Sequence, residues 1–267
     1  MCGAFVLKIL IIRACAIGDF VVNLPTLQAL SGLAPDVRFT LVGYPQYLEL
    51  AKDFVHVAAI HSIEVEPWRR LFQGTLNGLE FDRAIVWMKE PVVAENLRLS
   101  GIGNVLWAPP FPDRGHAAHH LLNTVGLPPP ELPDRWHPES DRIILHPGSG
   151  SPKKCWPHFM ELALRLQSVA FLIGPAESVF DTGPYPRIEN LALREVGSVL
   201  SRSRAFVGND SGITHLAAYL GCPTVALFGP TDPAVWGPIG RRIHILNFGR
   251  NELTVDEVWQ KTVFTAG

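Results

Sequence analysis

The run from Arg204 to Pro233, RAFVGNDSGITHLAAYLGCPTVALFGPTDP, leaves few folds open. Arg204–Val207 reads as a short buried strand and Gly208–Gly212 as a tight polar turn. Ile213, Leu216, Ala217 and Leu220 then fall at i, i+3, i+4 and i+7, one face of a helix. Gly221 ends that helix, and Pro223–Phe228 is a second apolar run. Strand, Gly-rich turn, helix and strand make a βαβ unit, which requires a parallel sheet. The turn opens onto a helix N-terminus, where unpaired amides and the helix dipole favour an anion. Plain helix capping by Asp210 or Ser211 accounts for the same letters.

The same alternation runs through the rest of the chain. Val6–Ile12 reads as a strand buried on both faces. Val37–Val42, Val57–Ile60, Arg83–Trp87 and Asn104–Trp107 are further strand candidates, with helical stretches between them. In the first helix Pro25 predicts a kink or a restart. Pro128–Pro138, PPPELPDRWHP, can neither continue a helix nor sit in a central strand, so it reads as a linker. It divides the chain into α/β halves over residues 1–134 and 139–252. In the second half Arg142–Leu145 and Val169–Ile173 read as strands, Pro157–Leu166 and Leu193–Leu200 as helices.

Composition bounds the class. With 267 residues, 47% hydrophobic and 18% charged, the chain can fold into two small domains. A net charge of −2 gives no basic field, which argues against nucleic acid as the main partner. Cys2, Cys15, Cys155 and Cys222 are scattered with no CxxC pair, so neither a zinc site nor a disulfide framework is indicated. Ala4–Ala16 mimics a signal peptide, but Lys8 and Arg13 interrupt it and no basic segment precedes it; a buried strand is the better reading.

D-S-G-x-x-H-L-A-A, then a valine-rich strand ending F-G-P-T-D-P, resembles the C-terminal signature of the heptosyltransferase family, the GT-B glycosyltransferases of lipopolysaccharide core synthesis (glycosyltransferase family 9). Further stretches match in the family's order. Ile12–Asp19, IRACAIGD, with Leu24-Pro25 and Ala29-Leu30 behind it, resembles the family's opening, and the resemblance makes Asp19 the catalytic base. On the residues alone Asp19 is either a helix cap or a carboxylate at the ligand-binding end of the first strand. Leu145–Pro157, LHPGSGSPKKCWP, is similar to the family's small-residue turn with a lysine two residues before Trp-Pro, here Lys154. Ser149, Gly150 and Ser151 would let backbone amides approach phosphate oxygens, with Lys154 as a compact positive charge and Lys153 as a solvated neighbour. The spacing is not that of a P-loop. Phe171–Glu177, FLIGPAE, looks like the family's Gly-x-x-Glu turn, which implies Glu177 on the nucleotide ribose; a surface position is the alternative. The resemblance places Asp210, the amides of Ser211 and Gly212, and His215 on the donor rim.

His116, His119 and His120 have the spacing of a helical metal pair, but no H-E-x-x-H pattern or further ligand set accompanies them, and no Asp-x-Asp occurs. Gly101-Ile-Gly103 lacks the third glycine of a dinucleotide fingerprint. The resemblance implies an α/β protein of GT-B type, two Rossmann-like doubly wound domains facing each other across a cleft, with a C-terminal helix (253–265) packing back on the first half. It implies an inverting, metal-independent bacterial enzyme without cofactor, moving a heptose or related sugar from an ADP-sugar, most directly ADP-heptose, to lipopolysaccharide inner core or a related glycan. A cytoplasmic location with peripheral contact to the inner membrane follows. The first half is shorter than is usual in the family. A GT-B nucleotide-sugar epimerase and a non-catalytic nucleotide-sugar-binding protein stay open as alternatives.

Overall fold

The computed structural model describes residues 6–249 and 252–267; Cys2 lies outside them. The chain forms two compact units, Met1–Pro130 and Glu131–Gly267. Each is a parallel sheet with helices between its strands.

In the first unit the elements follow as β1 (Val6–Arg13), α1 (Ile17–Ser31), β2 (Asp36–Gly43), α2 (Pro45–Leu48), β3 (Val57–Ser62), β4 (Arg83–Trp87), α3 (Val92–Leu99), β5 (Val105–Ala108) and α4 (Ala117–Val125). The strand order is β3-β2-β1-β4-β5, and every pairing is parallel. β1 is central because Ile9, Leu10, Ile11 and Ile12 are apolar on both faces and fully buried. Pro25 does not restart α1: one helix runs from Ile17 to Ser31 with Pro25 inside it. The proline is buried with Leu24 and Leu27, so packing holds the helix through the missing N–H. One turn earlier the Asn23 amide donates to Asp19 O at 2.5 Å.

The second unit contains β6 (Ile143–His146), α5 (Phe159–Arg165), β7 (Val169–Ile173), β8 (Arg187–Glu189), α6 (Leu193–Ser201), β9 (Ala205–Asn209), α7 (Gly212–Tyr219), β10 (Thr224–Phe228), α8 (Pro233–Trp236), β11 (Ile243–Asn247) and α9 (Val255–Ala266). Its order is β11-β10-β9-β6-β7-β8, again all parallel. Gly221, which ends α7, has φ +88°, a conformation that favours glycine.

Two expectations need correcting. The last helix packs on its own half: Val258 and Thr262 are buried, Val258 in the core of β6, β7, β9 and β10. Trp156 Nε1 ties the approach to α9 down by donating to Leu253 O at 2.9 Å, and Arg204 Nε holds its end through Ala266 O at 2.9 Å. Of the proline-rich stretch, the part from Glu131 onward is a strap on the second unit rather than a free linker. Arg242 grips Asp134 with two bonds of 2.8 and 2.9 Å and lies over the Trp136 ring at 4.8 Å. Arg135 N and His137 N donate to Leu220 O and Ser201 O, both at 2.9 Å.

Candidate active site

In an open parallel sheet, ligands bind beyond the carboxyl ends of the strands, where the chain reverses its direction across the sheet. In the second unit that reversal lies between β6 and β9, which are hydrogen-bonded neighbours from Ile143↔Ala205 to His146↔Gly208. The chain leaves β6 toward β7 and leaves β9 toward β10, so the loop Pro147–Trp156 and the turn Asn209–Gly212 flank one crevice.

Asp210 is the centre of this crevice. It is only 6% exposed, and its N–H donates to Leu227 O at 2.9 Å, fixing it to β10. Lys154 Nζ meets Asp210 Oδ2 at 2.7 Å, and Ser149 Oγ donates to Asp210 O at 2.6 Å. A buried carboxylate left alone would be costly; Lys154 neutralises it and brings a cation to the crest. Lys153, one residue away, is exposed. Ser151 lies at the start of the short 3-10 turn Pro152–Lys154, its carbonyl accepting from Lys154 N at 3.0 Å. Gly150 has open space where a side chain would be. Ser211 does cap α7, its Oγ accepting from Thr214 N at 3.3 Å, and Gly212 is the first helical residue. His215 is buried on the same helix.

Glu177 joins the neighbouring turn to this loop. Its Oε2 accepts from Gly174 N at 3.0 Å. A Cβ on Gly148 would lie 1.9 Å from Glu177 Oε1, so the carboxylate occupies the place of the missing side chain. Glu177 is therefore half-buried against the β6 loop, not on a surface helix. Beneath it His146 is buried, its Nδ1 within 2.9 Å of Leu172 O. A carbonyl can only accept, so Nδ1 carries the proton. Burial holds the imidazole pKa below its usual value, which keeps the ring neutral.

In the first unit the reversal lies between β1 and β4. Ala16 is the N-cap of α1 and Asp19 its third helical residue, so Asp19 is not the cap. Asp19 stands in the first turn, where the dipole favours a negative charge. Beside it Cys15 is pushed up to about 12, chiefly by burial and further by the Asp19 charge, with Arg13 opposing. Arg13, 3% exposed, donates from Nη1 to Trp87 O at 3.4 Å and lies over the Phe111 ring at 5.5 Å. The nine residues assigned to the donor thus share the second unit, and Asp19 belongs to the first.

The histidine triplet has structural partners. His116 Nδ1 caps α4 by accepting from Ala118 N at 3.2 Å, and His120 Nε2 bonds Pro109 O at 2.9 Å. Among the described residues no group of three or more His, Cys, Asp or Glu is placed to hold a metal. One residue at the crevice was not singled out from the sequence: Asn209, fully buried, whose amide bonds both ends of the β6 loop. In the run Gly-Asn-Asp-Ser-Gly an asparagine reads as an ordinary turn residue.

Comparison with known proteins bears on the whole arrangement. The model of glycosyltransferase family 9 (heptosyltransferase) matches residues 131–260. Lipopolysaccharide heptosyltransferase 1 of Pseudomonas aeruginosa is 24% identical over 297 aligned positions, covering 90% of this chain and 83% of that protein. The E. coli heptosyltransferase WaaC, solved with ADP, superposes with a TM-score of 0.76 at 18% identity, covering 97% of this chain and all (100%) of that one. E. coli ADP-heptose lps heptosyltransferase II gives 0.79 at 19% identity, covering 97% and 98% of the two chains. At such identity the superpositions speak for the fold, two Rossmann-like domains of GT-B type, while the family model and the aligned relative speak for the family. The chain is a glycosyltransferase, and its second unit is that of glycosyltransferase family 9, the heptosyltransferases.

Proposed function

We propose that this enzyme transfers a heptose or closely related sugar from an ADP-sugar to lipopolysaccharide inner core, inverting the anomeric configuration and using no metal ion. The observation that carries the reading is the Lys154–Asp210 pair at the β6/β9 crevice, with Ser149 on the same aspartate. A cation and a hydroxyl at the ligand-binding end of a parallel sheet suit a diphosphate. Support for ADP comes from the relatives, one solved with ADP and one named as an ADP-heptose enzyme.

In this reading Asp19 takes the proton of an acceptor hydroxyl as its oxygen bonds to the anomeric carbon. The bond from that carbon to the diphosphate breaks on the opposite face, and its electron pair leaves with ADP. Lys154, the Ser149–Ser151 turn and the amides of Ser211 and Gly212 stabilise the departing charge, the work a metal would otherwise do. A carboxylate has two acceptor oxygens; once Lys154 turns to the diphosphate, Asp210 takes the sugar hydroxyls, with His215 on the same rim. Glu177 takes the ribose. Among the described residues no helix is long and apolar enough to cross a membrane; we place the enzyme in the cytoplasm, meeting its acceptor at the inner membrane surface.

The test is a transfer assay with ADP-heptose and truncated inner-core lipopolysaccharide in EDTA, the product linkage being read by NMR. Transfer with inverted configuration, at a rate EDTA does not change, is expected. Retention, or a strict need for added divalent metal, would overturn the mechanism, and donor epimerisation without transfer would favour an epimerase.

A further inference from the structure

Among the described residues four polar contacts cross the crevice between the β6 loop and the β9 turn, and they are of two kinds. Ser149 Oγ to Asp210 O and Lys154 Nζ to Asp210 Oδ2 join the middle of the loop to the turn. The other two come from one side chain. Asn209 Nδ2 donates to Pro147 O at 2.7 Å, and Asn209 Oδ1 accepts from Trp156 N at 2.9 Å. Pro147 and Trp156 are the two ends of the loop. Asn209 itself is held: it closes β9, is 0% exposed, and its carbonyl accepts from Thr214 Oγ1 at 2.5 Å.

The two kinds of contact behave differently toward a bound anion. The Ser149 hydroxyl and the Lys154 ammonium are the groups a phosphate would engage, so their bonds to Asp210 are exchangeable. The Asn209 amide is buried and both its ends are committed to backbone, so it has nothing to offer a ligand. We infer that Asn209 is a positioning residue: it staples the two ends of the diphosphate loop to β9 and so keeps Ser149 and Lys154 in place when they leave Asp210 for the donor. This rests on the proposed donor reading. Its specific content is that Asn209 acts on the donor through Lys154.

Asn209→Asp tests this with little change of shape. The carboxylate still accepts from Trp156 N, but its second oxygen now faces the Pro147 carbonyl, acceptor against acceptor. ADP affinity, measured by calorimetry well below the melting transition, should fall roughly 10- to 100-fold. A loss of stability alone would not couple to Lys154, so the deciding measurement is a double-mutant cycle. Lys154→Ala should cost at least about tenfold in the wild-type background but less than about threefold in the Asn209→Asp background. Losses that simply multiply, or an Asn209→Asp protein binding ADP within about threefold of wild type, would overturn the inference while leaving the donor reading intact. Failure of the wild-type protein to bind ADP would overturn both. Should Asn209→Asp not fold, Asn209→Ser, which is smaller and keeps a hydroxyl, is judged by the same cycle.

Discussion

Lys153 and Lys154 carry the same charge one position apart, yet only Lys154 turns inward, onto the buried Asp210. A hydrogen bond to a charged group contributes about 1.5–3 kcal/mol. Lys154→Ala should therefore weaken ADP binding roughly 10- to 150-fold, and Lys153→Ala should leave it nearly unchanged; titration calorimetry of both variants checks this, and a reversed order would contradict the assignment. Lys154 was singled out because the family resemblance puts a lysine two residues before Trp156-Pro157; the letters alone leave open which of the two lysines faces the strand ends. The partner was not legible: nothing local links Lys154 to Asp210, which arrives through the β6–β9 pairing. Asn209 was less legible still, since its role consists of contacts with Pro147 and Trp156.

Among elements, the turns after β6 and β7 depend on each other through a single glycine. A side chain at Gly148 would collide with the Glu177 carboxylate at 1.9 Å. Gly148→Ala should push that carboxylate out and remove the hold on the ribose proposed for it. Wild-type protein should then bind ADP about tenfold or more tightly than 2′,3′-dideoxy-ADP, and Gly148→Ala should bind both equally weakly. Discrimination that survives in Gly148→Ala would detach Glu177 from the ribose. The long apolar strands β1, β4, β7 and β10 were readable because they are buried on both faces. β8 was missed: it is an edge strand of three residues that follows Pro184-Tyr-Pro186, too short to show a pattern. The placement of α9 went wrong for a different reason. Its sequence shows an amphipathic helix but not which core receives Val258.

At the scale of the molecule, alternating strand and helix signals on both sides of the proline-rich stretch were sufficient for two doubly wound units. What the alternation could not show is that the strap from Glu131 belongs to the second unit, because Arg242 and Ser203, which hold Asp134 and Trp136, lie far along the chain. Glycosyl transfer as proposed draws on both units, the donor groups of the second and Asp19 of the first. Asparagine at position 19 keeps the size of the side chain but offers no lone pair that takes up a proton at neutral pH. Removing a general base typically lowers the rate by about 10²–10⁴. The most direct test is turnover of Asp19→Asn with ADP-heptose and a competent inner-core acceptor, with melting temperature and ADP affinity measured on the same protein. The account predicts unchanged melting and ADP binding with turnover reduced by that factor; near-normal transfer would contradict it.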